Sequence, residues 1–390
     1  VTAPPTATRR QLWPLYAAGF TTAFGAHSVA ASLGSEAGDL HTSLLYLGLL
    51  LALYDGAEVV LKPVFGTLAD RVGARPVMVG GLVAFAACSA LFVVADDPAW
   101  LWVTRLGQGA AASAFSPAAG ALVARLNPNA SHGRAFGSYG FFKSLGYTLG
   151  PLLGGVIVWL GGLPALFVVL TVVAAATAVW ATVAVPTVPP LPKSRQTLLG
   201  LARRLSDRTF LGPTAALAAA TAALSVGVGF LPVSGAAAGL GPVATGAAVS
   251  VLAATAAVVQ PRVGRALDAG RFSASAGMST GMVITAVGLA FAMVPGPAGL
   301  LLAAVGIGVG TGVITPLGFA ALASSTPPER IGQTMGAAEL GRELGDAGGP
   351  LLVAGVAAAA TLTAGFAALT AVIGLVAATG MRHAARTTVD

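Results

Sequence analysis

Nine charged residues interrupt otherwise apolar stretches of the chain, and these are the positions best suited to do chemistry. Asp55, Glu58 and Lys62 share one stretch, Arg105 and Lys143 each stand in their own, and Glu339, Arg342, Glu343 and Asp346 share another. The spacing of Asp55, Glu58 and Lys62 puts them on one face of a helix, and the second group likewise falls on one face. Five acids against four bases make a set that nearly neutralises itself if the stretches come together, and one proton would balance it. If these stretches lie in hydrocarbon, each unpartnered ion costs roughly 2.5–3.5 kcal/mol. Three uses fit the set. Asp55 or Glu58, desolvated beside a like charge, exchanges a proton. Alternatively, Glu58 with Lys62, and Glu339 with Arg342 and Glu343, form fixed ion pairs that hold a gate. In the third use, the charges bind a charged substrate directly.

Covalent chemistry has no comparable candidates. The chain shows no Ser/His/Asp set, no cluster of metal ligands and no GxxxxGK[ST] phosphate loop. We therefore expect no enzyme activity, no cofactor and no metal, and energy drawn from a gradient. His27, a lone histidine in the first apolar run, reads as structural. The single cysteine, Cys88, cannot form an internal disulfide.

The elements that must position these charges are legible in composition. Of 390 residues, 56% are hydrophobic and only 9% charged, against about 25% charged in soluble domains. Apolar runs near 12–33, 43–65, 77–95, 99–124, 136–160, 163–185, 210–232, 243–262, 274–294, 298–323, 334–358 and 361–381 are each long enough to cross a bilayer as a helix. Helices satisfy every backbone group internally. The runs lack the alternation of a membrane β-barrel. The first is too long for a signal-peptide core and is expected to remain as helix 1. The expected fold is an all-α membrane protein with 12 transmembrane helices.

The net charge of +7 follows a topological pattern. Arg9, Arg10, Arg71, Arg75, Arg125, Arg134, Lys193, Arg195, Arg203, Arg204, Arg208, Arg262, Arg265, Arg271, Arg330, Arg382 and Arg386 fall in the termini and in every second loop, whereas the alternate loops hold Glu36, Asp39, Asp96 and Asp97. The positive-inside rule then places both termini in the cytoplasm. No aromatic residues are interleaved with these charges, which argues against nucleic acid. Arginine outnumbers lysine 18 to 3, a bias of GC-rich bacterial genomes, so the expected location is a bacterial inner membrane. The expected partners are the bilayer, protons and a small-molecule substrate, with the chain acting as a monomer.

Internal repetition divides the chain. A shift of 198 residues carries Pro63, Gly66 and Asp70 onto Pro261, Gly264 and Asp268. A shift of 199 carries Gly137, Lys143, Leu145, Gly146, Gly150 and Pro151 onto Gly336, Arg342, Leu344, Gly345, Gly349 and Pro350, and Gly107, Gly109 and Pro117 onto Gly306, Gly308 and Pro316. Duplicated halves are common among transporters. The expected domains are an N-terminal six-helix bundle, 1–185, a cytoplasmic linker, 186–209, and a C-terminal six-helix bundle, 210–390.

Three segments carry a family resemblance. The loop after helix 2, Gly66-Thr-Leu-Ala-Asp70-Arg71-Val-Gly73-Ala-Arg75, resembles the major facilitator signature GxLaDrxGrk. Helix 4, Leu101-Trp-Val-Thr-Arg105-Leu-Gly-Gln108-Gly109, is similar to that family's motif with an intramembrane arginine. Helix 5 contains Gly146, Gly150, Pro151, Gly154 and Gly155 in the GxxxGPxxGG pattern of the drug:proton antiporter branch, the 12-helix branch of the superfamily. The second loop copy, Gly264 to Arg271, departs from the signature after Asp268.

The glycines of the first loop are expected to make a tight turn, Asp70 to sit at the positive N-terminal end of a neighbouring helix, and Arg71 and Arg75 to hold the cytoplasmic face. The resemblance implies that Asp70 latches two halves against helix 11, that Arg105 belongs to a proton relay, and that helix 2 neighbours helix 11; Asp55, Glu58 and Arg105 are then the expected proton-coupling residues. Lys62, Lys143, Glu339, Arg342, Glu343 and Asp346 are then gating charges. The small residues of helix 5 are expected to let helices approach closely, with helix 8 as sliding partner. It further implies two six-helix bundles rocking about a midplane cavity, with proton-coupled export of drugs or toxic metabolites. A proton-coupled importer of a charged or zwitterionic metabolite is the alternative, and a non-transporting receptor or scaffold the third.

Overall fold

The computed structural model describes residues 8–36, 44–94, 100–188, 207–240 and 242–387. Most of the expected linker, with Lys193, Arg195, Arg203 and Arg204, the acidic residues Asp39, Asp96 and Asp97, and the side chains of Glu36, Arg208, Arg382 and Arg386 lie outside what it describes. Helices α1 (Arg9–Glu36), α2 (Leu44–Val72), α3 (Ala74–Val94) and α4 (Trp100–Arg125) come first. The helical stretch His132–Ala184 then breaks at Gly161 and Gly162 into α5, 132–160, and α6, 163–184. Gly162 has φ of 71°, a left-handed conformation that favours glycine, and Pro164 follows at the start of α6. After these come α7 (Arg208–Ala237), α8 (Pro242–Asp268), α9 (Ala274–Phe291), α10 (Pro297–Ser324), α11 (Ile331–Ala359) and α12 (Leu362–Thr387). Short 3-10 turns at Asn129–Ser131 and Pro328–Arg330 lead into α5 and α11, at equivalent places in the repeat.

Large apolar side chains point outward, among them Trp159, Val183 and Leu351, as lipid-facing helices require. Seven described helical segments are long and apolar enough to cross a membrane by themselves. Helices α2, α4 and α11, which carry buried charges, are not among them.

The chain forms two compact units. The first comprises Val1–Pro128, Phe142–Ser194 and Thr326–Leu340, and the second Asn129–Phe141, Arg195–Ser325 and Gly341–Asp390. Helices α5 and α11 thus each contribute their first turns to one unit and the remainder to the other. In the first unit α4 packs on α2 and α3 around Met78, Phe85, Phe115 and Leu122. In the second, α10 packs on α8 and α9 around Leu252, Ile307, Leu317 and Phe366.

The first signature is mostly helix. Gly66 through Val72 are the last turns of α2, and only Gly73, with φ of 103°, makes the turn. Gly66 serves close approach instead: a Cβ there would meet the backbone of Gly332 and Gly336 on α11. The repeat reproduces this at Gly264, which faces the backbone of Gly133 and Arg134.

Candidate functional site

Glu58 and Lys62, one turn apart on α2, form an ion pair in which both residues are buried. Lys62 Nζ lies 3.8 Å from Glu339 Oε2 of α11. Lys143 Nζ of α5 donates to both oxygens of the same carboxylate at 3.3 Å. Glu58, Lys62, Glu339 and Lys143 therefore form a chain of alternating charge, at most 7% exposed and wholly inside the first unit. With two acids and two bases fully ionised it is neutral. Such a group keeps its ions in low dielectric only while each has a partner.

Arg105 on α4 belongs to the same unit and is 1% exposed. Its guanidinium lies over the Tyr54 ring, 4.3 Å from the centroid, and its Nη1 donates to Gln108 Oε1 at 3.4 Å. A desolvated contact of that kind stabilises by about 2 kcal/mol. Gln108 is itself aimed from α3, since its Nε2 donates to Ser89 Oγ at 2.8 Å and Ser89 donates to the Phe85 carbonyl at 2.8 Å. Gly109 makes this register possible, because its bare Cα packs against the Tyr54 backbone where a Cβ has no room. Asp55 is exposed on α2, and both it and Glu58 act electrostatically on Arg105. Among the described residues no carboxylate makes an ion pair with Arg105.

The charged face expected on α11 is divided. Glu339 belongs to the first unit, while Arg342, Glu343 and Asp346 belong to the second. The Arg342 guanidinium sits 5.8 Å from the Phe319 ring centroid, and its carbonyl accepts from Thr221 Oγ1 at 2.8 Å. Glu343 is half-buried and Asp346 exposed.

At the ends of α2 and α8 the repeat builds one device twice. Asp70 accepts from the backbone N–H groups of Gly332 and Gln333, both at 2.7 Å, at the start of α11 and inside the first unit. Asp268 accepts from those of Gly133 and Arg134, at 2.9 and 2.8 Å, at the start of α5 and inside the second. Both carboxylates thus satisfy free donors at the positive end of a helix. The second copy works despite its departure from the signature, because the aspartate and the glycine carry the geometry. The companions differ. Arg125 accompanies Asp70: burial pushes its guanidinium below the ordinary value, and the carboxylates of Asp70 and Glu329 push it back up. In the second unit the corresponding residue is Ser324, whose hydroxyl lies 3.2 Å from Nδ1 of buried His132. Arg71 is exposed, and Arg75 donates to Thr187 Oγ1 and the Thr182 carbonyl, tying the start of α3 to the end of α6.

The helix 5 glycines have a different partner from the one expected. Gly146, Gly150 and Gly154 pack against Phe20, Phe24, His27 and Ser28 of α1, whereas α8 is met further upstream by Gly133, Gly137 and Gly140. The helix turns its glycine face from one neighbour to the other along its length. Pro151 is exposed, and a Cβ at Gly155 would meet nothing within 4 Å, so neither belongs to this packing face. The repeat holds here too, since Gly345 and Gly349 of α11 pack on Ala218, Thr221 and Ala222 of α7. His27 sets its ring edge-on to Tyr147 at 4.3 Å.

Tyr54, Ser89, Gln108 and His132 escape a reading that counts only membrane charges. Gln108 lies within the helix 4 motif, and Tyr54 directly precedes Asp55, which is the only sequence signal for either.

The chain is 29% identical over 146 residues to the quinolone resistance protein NorA of Staphylococcus aureus, covering 37% of this chain and 38% of the relative. It is 30% identical over 129 residues to the inner membrane transport protein YajR of Escherichia coli, covering 33% and 28%. The aligned regions therefore span well under half of either relative. Among solved structures, the human organic anion transporter MFSD10 (TETRAN) superposes with a TM-score of 0.76 at 20% identity, over 96% of this chain and 99% of that one. The Escherichia coli fucose:proton symporter FucP superposes with a TM-score of 0.77 at 14% identity, over 95% and 98%. These likenesses show the fold: 12 transmembrane helices in two pseudo-symmetric six-helix bundles. The sequence model of the Major Facilitator Superfamily matches residues 15–272, and this multi-pass membrane protein belongs to that family of transporters.

Proposed function

We propose that the chain exports small drug-like or toxic molecules in exchange for protons, by alternating access of its two bundles. In this reading it works as a monomer in a bacterial cytoplasmic membrane with both termini inside. The observation that carries the reading is the buried chain of Glu58, Lys62, Glu339 and Lys143 with Arg105 beside it. A purely structural role is served as well by apolar side chains, and the second half has them: the positions equivalent to Asp55, Glu58 and Arg105 are Ala253, Ala256 and Ala304. Charge kept on one side of a repeat is charge with a use. The relation to NorA, named for quinolone resistance, favours export. Density of charge, unusual for a lipophilic site, favours the second reading, proton-coupled import of a charged or zwitterionic metabolite.

The test is proton release from acidified inside-out vesicles, followed with a pH-sensitive dye during addition of cationic, zwitterionic and anionic compounds. Export predicts dye recovery on addition of one class, absent from vesicles lacking the protein. Glu58→Gln and Asp55→Asn are expected to leave the protein folded and abolish that recovery. Full activity in both variants removes these carboxylates from the mechanism.

A further inference from the structure

We infer that His132 is a pH-responsive switch on the docking of α5 to α8: its imidazole, once protonated, supplies to Asp268 the companion cation that Arg125 supplies permanently to Asp70 in the first half.

The two aspartates do the same work in different surroundings. Each accepts two backbone N–H groups at the start of a helix. Beside Asp70 stands Arg125, on which that carboxylate acts electrostatically, and a guanidinium keeps its charge at any physiological pH. At the offset of 199 residues the equivalent of Arg125 is Ser324, and the equivalent of Ile331 is His132. The second half has thus exchanged a fixed cation and an aliphatic side chain for a hydroxyl and an imidazole. These two meet, with Ser324 Oγ 3.2 Å from His132 Nδ1.

The second unit also holds a cavity of about 280 Å³, lined by His132, Asp268 and Ser324 among small apolar residues. Its lining includes Asn129 and Gly270, both exposed, so water reaches a ring that is itself only 2% exposed. Asp268 is the one charged side chain that α8 contributes to this lining, and α9 and α10 contribute none. Arg134 of α5 lies with its Nε 3.8 Å from Asp268, but its side chain is 67% exposed and water screens it. Arg265 and Arg271, which flank Asp268 in sequence, are exposed as well. A cation at the start of a helix is ordinarily opposed by the positive helix end. Here the donors of Gly133 and Arg134 are already taken by Asp268, and a full carboxylate charge outweighs a helix end of about half a charge. Ser324 suits either state of the ring, because a hydroxyl donates to a neutral ring nitrogen and accepts from a protonated one. The start of α5 is therefore held more firmly where the imidazole is charged, below about pH 6.5, and loses that hold above it. With this face inside the cell, the switch senses the cytoplasm, and only that last step rests on the topology proposed above.

Hydrogen exchange of the full chain in detergent, read by mass spectrometry from about pH 5.5 to 8, tests this without a substrate. Peptides covering 129–137 are compared with those covering 328–336 in the same sample, which cancels the intrinsic pH dependence of exchange. Protection of the first relative to the second is expected to rise by about two- to fivefold as pH falls through the histidine range, the worth of a partly solvated charge pair. His132→Gln is expected to give a ratio independent of pH. So is the double variant His132→Ile with Ser324→Arg, which rebuilds the first half's pair and carries the test if His132→Gln does not fold. A flat ratio in the wild type overturns the switch, as does a pH-dependent ratio that survives in either folded variant. Neither result bears on dye recovery in vesicles, which tests proton coupling separately.

Discussion

Glu339 is shared by two lysines, and this sets how the buried charges respond to change. Replacing it with glutamine removes the carboxylate that Lys62 and Lys143 share and leaves Glu58 paired with Lys62. Breaking a buried pair in this way costs about 3–5 kcal/mol, because the stranded ion is neither solvated nor matched. Glu339→Gln is therefore expected to lower the unfolding temperature in detergent markedly. Pairing it with Lys143→Met restores the charge balance, leaving Glu58 with Lys62, and is expected to recover most of the loss. A double variant no more stable than the single would show that Lys143 and Glu339 contribute independently. The sequence shows that these residues need partners, because ionisable groups in apolar runs are costly. Which partner each takes depends on how α2, α5 and α11 come together, and the structure brings Lys62 and Lys143 to Glu339.

At the scale of helices, glycines that look alike in a motif carry different weight according to what they face. A Cβ at Gly66 meets the Gly332 carbonyl, and one at Gly146 meets the Phe20 carbonyl, backbone that cannot yield without moving a helix. A Cβ at Gly155 meets nothing within 4 Å. Gly66→Ala and Gly146→Ala are each expected to destabilise the protein by about 1–3 kcal/mol, as overpacking does. Gly155→Ala is expected to be neutral or slightly stabilising, since alanine is the better helix former. Thermal unfolding of the three variants separates them. Hydropathy places the helices well but not their ends. It ends helix 2 near 65 and starts helix 5 near 136, whereas α2 runs to Val72 and α5 begins at His132. Lipid dictates where apolar residues must be. Helix ends follow backbone capping, such as that by Asp70 and Asp268, which leaves no hydropathy signal. The same blindness puts α1 opposite the helix 5 glycines, since a small-residue stripe says that a neighbour is near without saying which.

Across the whole chain, the two halves share their packing, and Lys143 matches Arg342, but Asp55, Glu58, Lys62 and Arg105 have uncharged counterparts in the second half. Gly66 and Gly264, and Asp70 and Asp268, do equivalent work 198 residues apart, as do Gly146 and Gly345 at 199. Lys62 instead corresponds to Gln260, which keeps the same carbonyl contact, to Gly137 where Lys62 contacts Gly336, and has lost the ammonium. Duplication thus preserved what the fold requires, and the ions survive where something besides folding needs them. This predicts a one-sided pattern of defects. Lys62→Gln, which makes the first half like the second, is expected to abolish gradient-driven transport by unbalancing Glu58 and Glu339. Gln260→Leu, in the buried equivalent site, is expected to leave coupling unchanged even where it costs stability. The measurement is transport, in the same vesicles, of whichever compound gives dye recovery, first with a proton gradient and then as exchange of labelled for unlabelled compound without one. A coupling residue loses the first and keeps the second, because alternating access with bound compound needs no proton. A residue required only for packing loses both in proportion to the amount of folded protein. If Gln260→Leu uncouples transport as Lys62→Gln does, the charge difference between the halves is not what drives the cycle.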